Sequence, residues 1–331
     1  MKRIIAIVAG GDSSEHDVSL RSGQGILSFM DKEKYDCYIV EIEGLNWKAH
    51  LHDGTTARVS REDFSFEEGG KKIRPDFAYI TIHGTPGENG ILQGYFDLIK
   101  MPYSTSDVLI ESMTFNKFAL NQFLRSLGVR ISDSLLLRKG KEHLLSDEEI
   151  AEKVGLPCFV KPNAGGSSFG VSKVKEIEQI RPAIQKALME SDEVMVEAYM
   201  KGTEITCGCY KTRTGGHVFP ITEVVTNNEF FDYNAKYNGQ VQEITPARIS
   251  ADTAERVSKL TSAIYDLLGC RGIVRIDYIL TGEKGKEDIN LLEINTTPGM
   301  TATSFIPQQV RAAGLDIKDV LSEIIEDRLN P

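Results

Sequence analysis

The chain has 331 residues, 41 % hydrophobic and 26 % charged, and a net charge of −10. That length holds two or three cores, and the composition is that of an ordinary soluble globular protein. The acidic balance argues against nucleic acid or an anionic membrane as the main partner, because both attract basic faces; no stretch is long enough to span a bilayer.

The first third alternates strand and helix. Residues 4–9 form a buried-strand run; its apolar core is too short for a secretion signal and breaks at Gly10-Gly11. Ser13 or Ser14 is placed to cap a helix running to Phe29. Residues 38–42 are a second strand, 52–75 a polar stretch with a short antiparallel excursion, 77–82 a third strand, and 91–99 a helix. Further strands and helices are expected as follows: a helix at 115–127, strands at 158–161 and 171–174, a helix at 176–190 and a strand at 194–200. Next come strands near 205–210 and 217–224, an irregular stretch at 226–248, a helix at 252–268, a hairpin, and a closing helix at 316–328. The pattern divides the chain into an N-terminal open α/β unit (1–105), a central unit (106–203) and a C-terminal unit (204–331). Cys37, Cys158, Cys207, Cys209 and Cys270 are scattered, odd in number and without Cys-x-x-Cys spacing. They predict neither zinc nor a disulfide framework, and a reducing cytoplasm as the setting.

The most informative feature is Arg275-Ile276-Asp277, followed sixteen residues after the Asp by Glu293-Ile294-Asn295. Both triplets alternate polar, apolar, polar, so on strands each puts its polar pair on one face. The polar, Gly-containing segment 281–287 reads as the turn between them. A hairpin gathers two carboxylates, an amide and a guanidinium on one patch. Hard oxygen ligands suit Mg²⁺, and the Arg suits charge developing on a carboxyl or phosphoryl group. A bare solvent face would also carry such charges. The long uncharged, hydroxyl-rich run 296–304 directly afterwards favours the metal reading.

Lys161 precedes a Gly/Ser loop that lies between two strands, so it is not a Walker loop. It reads either as a plain connection or as a flap whose N–H groups and hydroxyls cover phosphates. Lys117 is a second candidate cation. Glu197, Met200 and Glu204 end a strand at a domain crossing, where they are solvated charges or an adenine and ribose site. Residues 10–17 place Glu15 after a glycine turn, as a helix-start charge or as the holder of an ammonium group. The aromatic stretch 230–238 sits in a long loop, a lid or a packed segment.

These pieces resemble the ATP-grasp superfamily and, within it, the D-alanine–D-alanine ligases. The stretches that carry the resemblance are GGDSSEHDVSLRSG (10–23), HGTPGENG (83–90), KPNAGGSSFGVSKV (161–174), DYNAKY (232–237), RIDY (275–278) and LLEINTTPGMTATSF (291–305). The resemblance implies a three-domain α/β (α+β) fold: the N-terminal open parallel domain binds substrate, two ATP-grasp domains grip ATP, and 226–248 is a lid. It implies phosphorylation of one D-alanine carboxylate by ATP, attack on the D-alanyl phosphate by a second D-alanine, and release of phosphate and dipeptide for peptidoglycan. Lys117, Lys161, Ser167 and Ser168 then face ATP phosphates, Glu197 and the Met200 backbone the adenine, and Glu204 the ribose. Asp277, Glu293 and Asn295 hold two Mg²⁺ ions, with Mn²⁺ as an alternative. Arg275 and the Gly299 N–H stabilise an oxyanion. Glu15 binds the first ammonium, near His83, and a Glu15–Ser167–Tyr237 triad locks the lid. Ser304, with Lys236, binds the second carboxylate. Tyr237 stands where relatives that use D-lactate carry His, which favours D-alanine and leaves D-serine open. Where relatives have a charged pair in the flap, this chain has Ala164-Gly165. Relatives also imply a cytoplasmic homodimer. A Rossmann dehydrogenase is excluded because no third glycine follows Gly10-Gly11 at the needed spacing.

Overall fold

The first apolar run forms the strand Arg3–Gly10, and its neighbours follow from it. In the computed structural model, which describes residues 2–166, 169–226 and 241–330, this strand is paired in parallel on both sides, by Tyr35–Glu43 and Phe77–Ile80. Asn46–His50 and Thr56–Arg58 add an antiparallel edge, completing five strands. Phe66–Glu68 and Lys71–Ile73 form the expected antiparallel excursion. A parallel centre buried on both faces explains the unbroken Ile-Ile-Ala-Ile-Val-Ala run.

A second sheet of four strands comprises Ser134–Arg138, Cys158–Pro162, Ser172–Val174 and Glu193–Ala198. A third has six: Thr203–Thr212 at its centre, Gly215–Val218, Thr222–Thr226, Val241–Ile244, Val274–Thr281 and Asp288–Asn295. The long helix Ala251–Leu268 packs on it, capped by Ser250, whose Oγ accepts from Thr253 N at 3.1 Å.

Several elements depart from expectation. The first helix is His16–Phe29 and begins at Glu15 with no side-chain cap. Ser13 lies before the cap position: its oxygen accepts from Glu15 N at 3.2 Å while its hydroxyl donates to the His83 carbonyl at 2.8 Å. The single helix expected at 115–127 is two helices, Val108–Phe115 and Lys117–Ser126. Asn116 breaks the run by turning extended and capping the second, its side chain accepting from Ala119 N at 3.0 Å. The strand expected at 217–224 is interrupted at Pro220, which has no N–H for a ladder. Val241–Ile244, expected irregular, pairs with Thr222–Thr226 as an edge strand. The helix expected at 176–190 is a short 3₁₀ turn followed by Ile180–Ala187. Asp147–Val154 and Phe305–Ala312 are helices the pattern did not predict, although Ser146 and Glu149 form a capping box.

Packing ties the first and third sheets to their neighbours, while the second keeps a core of its own around Val160, Ile184 and Val194. Ile110, Leu120, Leu124 and Val129 share a core with Val257, Ile276 and Tyr278 of the third sheet and its helix. The closing helix Ile317–Leu329 touches that sheet, where the Tyr210 hydroxyl donates to Glu323 at 2.7 Å, and reaches the first sheet as well. Its Val320, Leu321, Ile324 and Ile325 join Ile5, Ile7, Phe77 and Tyr79 in the core of the first.

Candidate active site

The site is built on the hairpin of Val274–Thr281 and Asp288–Asn295. Its register sets Arg275 opposite Asn295 and Asp277 opposite Glu293. Directly opposed residues share a face, so all four side chains stand together, as the two triplets predict. Arg275 grips Asp277 with both arms, at 2.9 Å from Nε and 2.8 Å from a terminal nitrogen. Asn295 Nδ2 donates to the same carboxylate at 3.1 Å, and the Thr206 hydroxyl also donates to it. Burial works against the Arg275 charge, but Asp277, Glu293 and Glu204 outweigh it and hold the guanidinium above its ordinary range.

A cavity of about 490 Å³ opens over this patch. Glu293, Asn295 and Arg275 form its floor, and the segment 296–305 one side. From the first unit come Glu15, Ser22, His83 and Glu88; from the flap, Gly165 and Gly166; from the helix between, Lys117. Expected residues Glu15, Lys117, Arg275, Glu293, Asn295, Gly299 and Ser304 thus line one space, with Asp277 bonded behind them. Ser304 accepts from Thr301 N at 3.0 Å and begins the helix Phe305–Ala312.

Lys117 Nζ donates to the Gly165 carbonyl at 2.6 Å, so the flap lies over the lysine. The flap is docked from below by Asn163, whose Oδ1 accepts from Phe118 N at 2.8 Å. Burial depresses the Lys117 ammonium below its usual value; Glu293 opposes that and Lys161 adds to it. A Cβ on Gly166 would fall against the Glu15 carboxylate, so the flap meets the first unit there.

His83 is buried, and burial lowers its pKa, partly offset by Glu15 and reinforced by Arg275. Its Nε2 lies 3.2 Å from Ser22 Oγ, which in turn accepts from Met300 N at 3.4 Å. One serine therefore links the first helix, His83 and the segment beside Gly299. That closeness requires Gly25, where a Cβ would collide with the Met300 carbonyl.

Lys161, Glu197, Met200 and Glu204 do not line this cavity. Lys161 Nζ bonds Glu197 Oε1 at 2.6 Å, and the second Glu197 oxygen accepts from Ser132 at 3.3 Å. Glu204 lies in the strand paired with Val274–Thr281, close enough to act on Arg275. Ser167, Ser168, Lys236 and Tyr237, and with them the triad and residues 227–240 of the lid, lie outside the described residues.

Two acids in the cavity were not anticipated. Glu88 is partly buried; burial first, then Glu15, pushes its pKa up to about 7. Its oxygens accept from Gly84 N at 2.7 Å and from the Thr297 hydroxyl at 2.9 Å. Glu243, on the edge strand, accepts from Gln308, and burial raises its pKa. The signal for Glu88 was present, an acid inside the glycine-rich turn 83–90.

The donor set fits a hard divalent cation. Two carboxylates and an amide oxygen come from facing strand positions, Glu293 and Asn295 at the cavity surface and Asp277 held in the fork of Arg275. Among the described residues no group of three His, Cys, Asp or Glu stands together as a metal site, so a cation here would draw on the Asn295 amide beside the two carboxylates.

Residues 4–106 match the family model described as D-ala D-ala ligase N-terminus, and residues 123–326 the model described as D-ala D-ala ligase C-terminus. The chain is 69 % identical over 329 residues to the D-alanine–D-alanine ligase of Phocaeicola vulgatus, covering 99 % of this chain and 100 % of that one. Its fold is similar to the D-alanyl-alanine synthetase A of Vibrio cholerae, with a TM-score of 0.87 at 26 % identity, covering 100 % of this chain and 99 % of the other. A D-Ala:D-Ser ligase from Enterococcus faecalis is also similar, with a TM-score of 0.85 at 28 % identity over 98 % and 99 % of the two chains.

Proposed function

We propose, for a chain that belongs to the D-alanine–D-alanine ligase family, that the cavity over the Arg275–Asn295 hairpin is where its reaction takes place. The chain is an ATP- and Mg²⁺-dependent ligase of the ATP-grasp fold that joins two D-alanines into D-alanyl-D-alanine for peptidoglycan precursors. The observation that carries the site assignment is the convergence of Glu15, His83, Lys117, Arg275, Glu293, Asn295, Gly299 and Ser304 on one space from three parts of the chain.

In this reading Glu15 holds the ammonium of the first D-alanine, and the neutral His83 packs beside it. Asp277, Glu293 and Asn295 hold Mg²⁺, which neutralises phosphate charge when bound. Lys117 and Lys161 face the phosphates, with Ser167 and Ser168 above them. Glu197, the Met200 backbone and Glu204 take the adenine and ribose. Arg275 and the Gly299 N–H stabilise the oxyanion that forms as the second amine adds. Ser304 and Lys236 hold the second carboxylate, and a Glu15–Ser167–Tyr237 triad closes the lid. Holding both substrates in line supplies much of the acceleration.

We infer a homodimer through the first unit, supported by Ile91 and Leu98. These are 62 % and 84 % exposed on one helix. Five free cysteines and the absence, among the described residues, of a helix long and apolar enough to cross a membrane support a cytoplasmic setting.

The deciding assay is phosphate release from ATP and Mg²⁺ with D-alanine, L-alanine, or D-alanine plus D-serine or D-lactate, with mass detection of the product. D-Alanine-dependent release and a D-Ala-D-Ala mass are expected. A mixed D-Ala-D-Ser product at comparable rate would overturn the assignment of D-alanine as preferred second substrate. Full activity in Glu293→Ala and Asn295→Ala would overturn the site.

A further inference from the structure

Glu111 lies outside the cavity and has no part in the chemistry above, yet it is completely buried. It sits in the helix Val108–Phe115, between the first unit and the third sheet. One oxygen accepts from Ser106 N at 2.9 Å, the other from the Thr296 hydroxyl at 2.6 Å. Both donors are neutral. Burial alone pushes the Glu111 pKa well up, with nearby Glu88 adding to it and the Thr296 and Ser106 bonds only partly offsetting it.

A carboxyl enclosed without a cation is costly, and an apolar side chain of similar size would fill the space at less expense. The group therefore adds little to net stability, and what it does supply is a fixed distance. Ser106 is itself anchored: its Oγ accepts from Arg271 N at 3.1 Å, and Gly272 packs so close to Ser104 that a Cβ would strike its carbonyl. Thr296 is the residue after Asn295 and three before Gly299. Its neighbour Thr297 is held the same way, by Glu88, whose other oxygen takes Gly84 N. Two successive threonine hydroxyls are thus each held by a carboxyl whose second oxygen is bonded to a backbone N–H.

We propose that Glu111 is a positioning residue that sets residues 295–299, and with them the Asn295 side chain and the Gly299 N–H, by holding the Thr296 hydroxyl. The proposal rests on the site reading above, in which those two groups act on the reacting centre. A tether outside the cavity changes how well the donors are aimed, not how tightly ATP enters.

The test is steady-state kinetics on Thr296→Val, Glu111→Ala, their double variant and Glu111→Gln, with Asn295→Ala alongside. Thr296→Val keeps shape and loses only the hydroxyl, so it stays informative if Glu111→Ala folds poorly. Thr296→Val and Glu111→Ala are each expected to lower kcat about tenfold, with KM for ATP within about twofold. The double variant is expected to lose no more than the worse single one, since both remove one link. Glu111→Gln is expected to recover most of kcat, its carbonyl oxygen serving Ser106 N and its amide the threonine oxygen. Unchanged kcat in folded Thr296→Val, or losses that multiply in the double variant, would overturn the proposal. If Asn295→Ala abolishes ligation while Thr296→Val does not, only the Glu111 proposal falls; if Asn295→Ala is fully active, the site reading falls.

Discussion

Lys161 and Glu197 are bonded to each other at 2.6 Å, with side chains only 9 % and 5 % exposed. Both were expected to face ATP, and the structure joins them on adjacent strands of the second sheet, where Lys161 is one register position from Val196. Removing one partner strands the other charge in the interior. Glu197→Ala should therefore cost roughly 3–5 kcal/mol, whereas Lys161→Met with Glu197→Leu should cost much less. Urea unfolding of the three proteins decides it; a double variant as unstable as the single one would show that the pair contributes more than it costs to bury.

Arg275 holds Asp277 by two bonds and reaches the cavity floor. Arg275→Ala should lower kcat by about 10²–10³-fold, because it removes a donor aimed at charge that forms only during reaction. ATP affinity should hold within a few-fold. Arg275→Lys should rescue little, since a single ammonium cannot reproduce the fork. Isothermal titration with ATP beside turnover measurements separates these effects, and equal loss of binding and turnover would contradict the role.

Glu88 makes stability depend on pH. Unfolded, its carboxyl ionises near 4.5; folded, it keeps its proton until about 7. Below 4.5 both states are protonated and there is no difference. Between the two values the folded state holds more protons than the unfolded one, so stability falls as pH rises, by about 3 kcal/mol once pH exceeds 7. Glu88→Gln removes that slope. Denaturation midpoints at pH 5 and pH 8 should diverge between the two proteins, the variant gaining relative stability at pH 8. Parallel profiles would mean Glu88 is already ionised in the fold.

Gly25 lets the first helix touch Met300. Gly25→Ala should push the helix off the segment beside Gly299, costing roughly 1–3 kcal/mol despite alanine's better helix propensity. It should also lower kcat by loosening the link from Ser22 to Met300 N. A raised melting temperature with full activity would show that the helix can shift without consequence.

The hairpin was legible in the sequence because its information is local. Alternation of period two marks the faces, but the facing of Asp277 with Glu293 also needs the register shift between Asp277 and Tyr278, which no local pattern announces. Ser304 was legible only through the family resemblance, whereas Glu15 and Lys117 had local readings that the resemblance sharpened. The break at Asn116 was hidden because apolar spacing continues across it, and only tertiary packing separates the two helices. The Lys161–Glu197 bond spans 36 positions and leaves no periodic trace. Glu111 was silent for the same reason: what makes it unusual is burial, and an acid in a helix reads as solvated until its surroundings are seen. Ser13 shows the opposite error, where the helix begins at Glu15 and the serine oxygen accepts from Glu15 N ahead of the first turn.

The closing helix Ile317–Leu329 completes the core of the first sheet. During synthesis, the strands of that sheet leave the ribosome some three hundred residues before the side chains that cover one of their faces. The first unit therefore cannot finish folding as it emerges, although N-terminal domains commonly do. Its apolar face waits, a natural client for a chaperone, until the last segment arrives. Enzyme nicked or stopped short of residue 317 should be sticky as well as inactive, so the cell is spared a half-made ligase that binds ATP without ligating.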